Sequence, residues 1–187
     1  MDEIYHLETP LDTQDIEPLR AGDRVTLSGV LYTARDAAHR RLLELVEQGA
    51  ALPIPIEGQV IYYVGPSPAP PGRVIGAAGP TTSYRMDPYA PTLLEMGLKG
   101  MIGKGKRSQE VVEAMVRYKA VYMAAIGGAG ALMAQAVKAV RVVAYEDLGP
   151  EAIRELKVER LPVVVVNDTQ GNDLYIQGQK AYKRASA

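Results

Sequence analysis

Leu161-Pro-Val-Val-Val-Val166 is a β-branched, uncharged run typical of a strand buried on both faces. A strand of that kind has to be covered by further layers, and the segments around it supply them. In the second half of the chain, 120–126 is an apolar run, 127–130 (Gly-Gly-Ala-Gly) is a turn, and the alanine-rich 131–140 has helical composition. A strand over 141–145 follows, then a helix opened by Pro150 and running to about 157, then the buried run itself. A turn at 167–172 leads into a last segment at 173–177. The first half alternates in the same way. A short helix is expected over 13–20, strands over 24–32 and 59–64, and a short buried strand over 73–78. Another helix over 91–97 and a strand over 98–102 complete this half. The alternation implies an α/β fold, with a mixed sheet layer and helices packed on it. At 187 residues this is a single domain over 1–187, with a flexible tail expected from about 178. Its eleven aromatic residues are all tyrosines, so the core is built from Val, Ile, Leu, Met and Ala.

Two helix starts carry polar chemistry. Thr33, with Asp36 three residues later, resembles a capping box and opens a helix that ends at Gly49. Arg35 then falls in the first turn, where free backbone N–H groups and a cation together suit an anion. The bland alternative is that Arg35 pairs with Asp36 or a neighbouring acid, and that His39, one turn on, is a surface or satisfied core histidine. Ser108 is a good N-cap for a helix over 109–118. Just before it, Gly103-Lys104-Gly105 puts a point charge between two glycines that permit close approach of the backbone to a ligand. Lys106-Arg107 intervene before Ser108, so this is not a phosphate-binding P-loop, and a basic turn is the plain alternative.

The densest polar stretch is Gly79-Pro-Thr-Thr-Ser-Tyr-Arg-Met-Asp-Pro-Tyr89. Glycine and prolines restrict the loop, and Arg85 beside hydroxyl donors suits a carboxylate or phosphate. The same residues also fit a capped helix start, with Thr81 or Thr82 as N-cap. Other classes are disfavoured. The chain has no cysteine, so it forms no disulfide and offers no thiolate ligand or nucleophile. A net charge of −1 argues against nucleic-acid binding on a broad basic surface, and the glycines at 127–130 depart from a dinucleotide fingerprint. No apolar stretch approaches a membrane span, and the acidic N-terminus is unlike a secretory signal, so a cytoplasmic protein is expected.

Thr33-Ala-Arg-Asp-Ala-Ala-His39, Gly79 to Tyr89, Gly103-Lys104-Gly105, the Gly-Gly-Ala loop, Asp147-Leu-Gly-Pro-Glu-Ala-Ile153 and Leu161 to Asp168 occur in one order over nearly the whole chain. Together they resemble the β subunit of the two-subunit iron–sulfur (class I) fumarate hydratases and of the related L(+)-tartrate dehydratases. The resemblance implies a swivelling β/β/α fold and reversible addition of water to a dicarboxylate. It also implies a cysteine-containing α subunit, usually as α2β2, that ligates the [4Fe-4S] cluster; this chain would hold no metal. By position, Arg35, Arg85 and Lys104 resemble the residues that bind substrate carboxylates, and Thr81 resembles the residue that removes the C3 proton. Asp36, His39 and Asp87 are expected to support them, the two acids by orienting the arginines beside them. Fumarate, tartrate and methylfumarate are not separated by these residues. A stand-alone anion-binding module is the alternative from another class.

Overall fold

The computed structural model describes residues 4–125 and 128–183. Strand β1 (Ile4–Glu8) and the short helix α1 (Thr13–Ile16) lead into the long strand β2 (Arg24–Thr33), and helix α2 (Asp36–Glu47) follows at once. After β3 (Val60–Tyr62) comes a long loop that ends in a 3-10 turn at Ser83–Met86 and helix α3 (Ala90–Glu95). Then come β4 (Gly100–Gly103), α4 (Gln109–Tyr118) and β5 (Val121–Ala124). Helix α5 (Gly130–Ala136) runs directly into β6 (Val137–Ala144). A 3-10 turn at Glu146–Glu151, strand β7 (Ile153–Asn167) and helix α6 (Leu174–Tyr182) complete the fold.

The sheet is mixed, as the alternation predicts. Strands β1 to β5 are parallel, while β7 runs antiparallel to β2, β5 and β6. Strands β2, β3, β4, β5 and β7 each pair with two of the others, so the sheet closes on itself, with β1 and β6 at its margins. Alternate residues of one strand therefore serve two cores. Val60, Tyr62 and Val64 point to one cluster with Leu27, Leu31, Val121 and Leu161. Ile61 and Tyr63 point to the other, where Ala38, Leu42, Leu94 and Met115 pack from α2, α3 and α4. The core is therefore not confined to Val, Ile, Leu, Met and Ala as the composition suggests: Tyr62, Tyr63 and Tyr122 are fully buried in it.

Local signals fix some boundaries. Ser108 accepts the Val111 N–H at 3.3 Å and caps α4 as expected. Gly49, at φ 63°, ends α2. Other expectations are overturned. Thr33 does not cap α2: it lies in β2, where its hydroxyl accepts from the Arg154 N–H at 3.0 Å and donates to Ala152 O at 3.3 Å. The N-cap is Arg35, which makes no side-chain cap. Residues 73–78 form no strand; Ser67 ties them back into a loop through its N–H to Ala77 O (3.1 Å) and its Oγ to the Ala77 N–H (2.8 Å). The helix expected over 131–140 stops at Ala136, because Val137 onward pairs with β7. The helix expected from Pro150 to 157 is absent. Gly149 breaks the preceding turn at φ 55°, ψ −115°, and Ile153 begins a strand in which Leu156 and Val158 point inward. Cross-strand pairing to β2 and β6 there overrides the helix propensity of Glu-Ala-Ile-Arg-Glu-Leu. The turn at 127–130 lies partly outside the described residues.

Candidate active site

The carboxyl ends of parallel β2, β3 and β4 lie side by side, with Thr33 in register with Tyr62 and Tyr62 with Ile102. In parallel sheets, open or closed into a barrel, ligands gather at the carboxyl ends of the strands, because loops diverge there. Strands β3 and β4 stay paired as far as the bond from the Tyr63 N–H to Ile102 O (2.8 Å) and then separate. The chain returning from the long loop fills the gap. Thr81 N–H donates to Tyr63 O at 2.7 Å, Ser83 N–H donates to Lys104 O at 2.9 Å, and Thr82 forms a parallel bridge with Lys104. Residues 81–83 thus act as a short inserted strand, and two of the predicted site residues, Thr81 and Lys104, are brought to one edge by main-chain bonds. Gly103 has to be glycine for this fit: a Cβ there would sit 1.9 Å from Ser83 Oγ.

The 3-10 turn after the insert carries Arg85 toward α2, where its Nε meets Asp36 Oδ1 at 2.9 Å. Arg35 is the next residue along the chain. Its Nη2 lies 3.3 Å from Glu151 Oε1, and its Nη1 lies over Gly65, where a Cβ would be only 2.6 Å away. The second oxygen of Glu151 accepts the Ala37 N–H at 3.0 Å. The anion seat expected at the start of α2 is therefore occupied by a carboxylate of this chain, from 114 residues further on. Lys104 is exposed and, among the described residues, makes no ion pair.

The two supporting acids are distributed otherwise than their sequence neighbours suggest. Asp36 serves Arg85 rather than Arg35. Asp87 serves neither: its Oδ1 accepts from Arg107 Nε at 2.6 Å and its Oδ2 from the Ser108 N–H at 2.7 Å. Arg107, read from sequence as part of a basic turn, has a fully buried side chain. Its guanidinium lies 5.4 Å from the ring centre of Tyr63 and 5.1 Å from that of Tyr122, which offsets part of the cost of burying it. His39 is fully buried; its Nδ1 donates to Arg35 O at 2.9 Å, which leaves Nε2 bare and without a partner. Burial pushes its pKa down to about 4, assisted by the charge of Arg107.

Glu151, Arg107 and Tyr122 escaped the sequence reading for separate reasons. Glu151 stands in the Asp-Leu-Gly-Pro-Glu motif, but nothing local ties it to Arg35. Arg107 follows two lysines in a run that looks solvated. Tyr122 is one polar hydroxyl in an apolar run, and such a hydroxyl needs a partner when buried.

Comparison with known proteins decides the family. The profile described as Fumarase C-terminus matches residues 3–178. This chain belongs to the Fumarase C-terminus family. It is 41% identical over 156 residues to the anaerobic class I fumarate hydratase of Escherichia coli K12, covering 82% of this chain and 28% of that protein. Fumarate hydratase 2 of Leishmania major is 37% identical over 173 residues, covering 90% of this chain and 30% of the relative. The chain thus spans under a third of these fumarate hydratases. A protein of Methanocaldococcus jannaschii, provisionally named L(+)-tartrate dehydratase subunit beta, is 35% identical over 181 residues, covering 93% of each chain. No helix among the described residues is long and apolar enough to cross a membrane.

Proposed function

We propose that this chain is the β subunit of a two-subunit hydro-lyase that reversibly hydrates fumarate to L-malate, working only with a cysteine-containing α subunit. The observation that carries this reading is the joining of Thr81, Lys104, the Arg85–Asp36 ion pair and the neighbouring Arg35 at one sheet edge, in a chain of the Fumarase C-terminus family. Equal coverage with the relative named as a β subunit supports a separate subunit. The same relative favours L(+)-tartrate as a second substrate reading.

In the dehydration direction a proton leaves C3 of the diacid and hydroxide leaves C2. Thr81 takes the C3 proton in this scheme. A neutral threonine hydroxyl is too weak a base for this, so Thr81 would act as its alkoxide, its own proton having gone to solvent beforehand, a form that positive charge from Lys104 and Arg85 would favour. The carboxylate next to C3 gains charge as the proton departs, and fixed cations stabilise that charge more than the ground state. Arg35 and Arg85 each give one nitrogen to a carboxylate of this chain, and a guanidinium has further N–H groups for substrate. Lys104 brings a charge that no acid of the described residues neutralises.

An iron–sulfur cluster does not fit this chain. It has no cysteine, and no group of three or more His, Asp or Glu among the described residues could hold a metal. A [4Fe-4S] cluster would be held by the α subunit. A groove of about 470 Å3 between 70–77, α5 and the start of β6, with Val74 half exposed, is in keeping with a face meant for a partner.

The test is an anaerobic assay of this chain with a cysteine-containing α subunit of the same organism, each chain alone as control, offering fumarate, L-malate and L-tartrate. Turnover only in the mixture supports the proposal, and the relative rates name the substrate. No turnover of any of the three with a cluster-loaded partner moves the reading to an anion-binding module. In the active mixture Thr81→Ala should lower kcat at least 100-fold with little change in KM, as general-base removal does. A rise in KM alone would make Thr81 a binding residue.

A further inference from the structure

Every main-chain polar group of Lys104 and Gly105 is held by another part of the fold. Lys104 O accepts from the Ser83 N–H at 2.9 Å, and Lys104 N–H donates to Ser83 Oγ at 3.1 Å. Gly105 N–H donates to the Tyr175 hydroxyl of α6 at 3.3 Å, and Gly105 O accepts from the Tyr122 hydroxyl at 2.9 Å. Ser83 Oγ and Tyr122 Oη are 2.9 Å apart. Since Tyr122 gives its proton to Gly105 O, the proton between the two hydroxyls belongs to Ser83. The direction is therefore fixed: Lys104 N–H to Ser83, Ser83 O–H to Tyr122, Tyr122 O–H to Gly105 O. Such a chain leaves the peptide group that precedes Lys104 and returns to the one that follows Gly105, and each bond in it polarises its neighbour.

We infer that the hydroxyls of Ser83 and Tyr122 are positioning residues for Lys104, holding the peptide group before it and the carbonyl of Gly105 after it so that its ammonium is presented at a fixed point. The inference rests on the proposed role of Lys104 in binding a substrate carboxylate. Three features support a purpose beyond packing. Ser83 and Tyr122 are both fully buried, so the hydroxyls are costly to place there unless each is satisfied, and each is. Gly103 leaves room for Ser83 Oγ that no other residue would leave. The Tyr122 ring is itself fixed by the buried Arg107 guanidinium. Burial drives the Tyr122 phenol far above its ordinary pKa, so it remains a donor at any working pH.

The decisive experiment is a double-mutant cycle in the reconstituted two-chain enzyme, with an amide-exchange measurement on this chain by itself. Tyr122→Phe and Ser83→Ala should each lower kcat/KM about five- to twentyfold, mainly through KM, the loss expected when one hydrogen bond in a network is removed. In a Lys104→Ala background the same substitutions should change kcat/KM less than twofold. Equal losses in both backgrounds would overturn the inference, because the hydroxyls would then act on something other than Lys104. In the exchange arm, the Lys104 amide should be protected in the natural chain and exchange at least tenfold faster in Ser83→Ala. An unprotected amide, or no change on substitution, would also overturn it. Should the natural pair show no hydratase activity, the proposed function falls, and the exchange arm alone decides the inference. Ser83→Ala, the smaller change, keeps the test open if Tyr122→Phe fails to fold.

Discussion

His39 is fully buried against the rings of Tyr63 and Tyr89, at centroid distances of 5.4 and 5.9 Å, and gives its Nδ1 proton to Arg35 O. A second proton on Nε2 would lie in the core with nothing to receive it, which is the physical content of a pKa lowered from 6.5 to about 4. The unfolded chain then binds more protons than the folded one between those values. Stability from this group is complete above pH 6.5 and is lost as the pH falls toward 4, by on the order of 3 kcal/mol. We expect the urea midpoint of the natural chain to drop over that window and that of His39→Gln to drop less; parallel slopes would show that His39 does not titrate with folding. His39 also touches the carbonyl of the residue whose guanidinium meets Glu151, so its neutrality bears on the geometry of Arg35.

At the scale of elements, the inserted segment 81–83 depends on the end of β4. Gly103→Ala should push Ser83 off Lys104, with a stability loss of about 1–3 kcal/mol from overpacking and a fall in activity of at least tenfold. Adding Ser83→Ala removes the clashing oxygen, so the double variant should melt higher than Gly103→Ala while remaining less active than the natural chain. If the melting temperature is not recovered, the strain lies elsewhere. The same elements show what the sequence discloses. Ser108 and Gly49 mark the start of α4 and the end of α2 because caps are local chemistry. Residues 150–157 have the composition of a helix and form a strand, because the deciding contacts, to β2 and β6, come from elsewhere in the chain. The site divides in the same way. Arg35, Thr81, Arg85 and Lys104 stand in recognisable motifs, whereas Glu151 on Arg35, Asp36 on Arg85 and Asp87 on Arg107 are pairings made by the closed sheet.

For the molecule as a whole, β7 is the strand that closes the sheet, pairing with β2, β5 and β6. No layer can open without breaking pairs on β7, so the chain should unfold in a single cooperative transition. With no tryptophan, tyrosine fluorescence reports on the buried Tyr62, Tyr63 and Tyr122, while far-ultraviolet circular dichroism reports on helices and strands. The two urea curves should coincide, and amides of β2 and β7 should exchange only by global unfolding. Separate curves, or early exchange in β7, would mean that the β6–β7 region is a unit of its own. The site loops lie at the rim of this closed sheet. Lys104→Ala, which removes an exposed side chain with no ion pair among the described residues, should therefore change the unfolding free energy by no more than about 0.5 kcal/mol. That separation allows a loss of activity in Lys104→Ala to be assigned to the lost charge and not to a loosened fold.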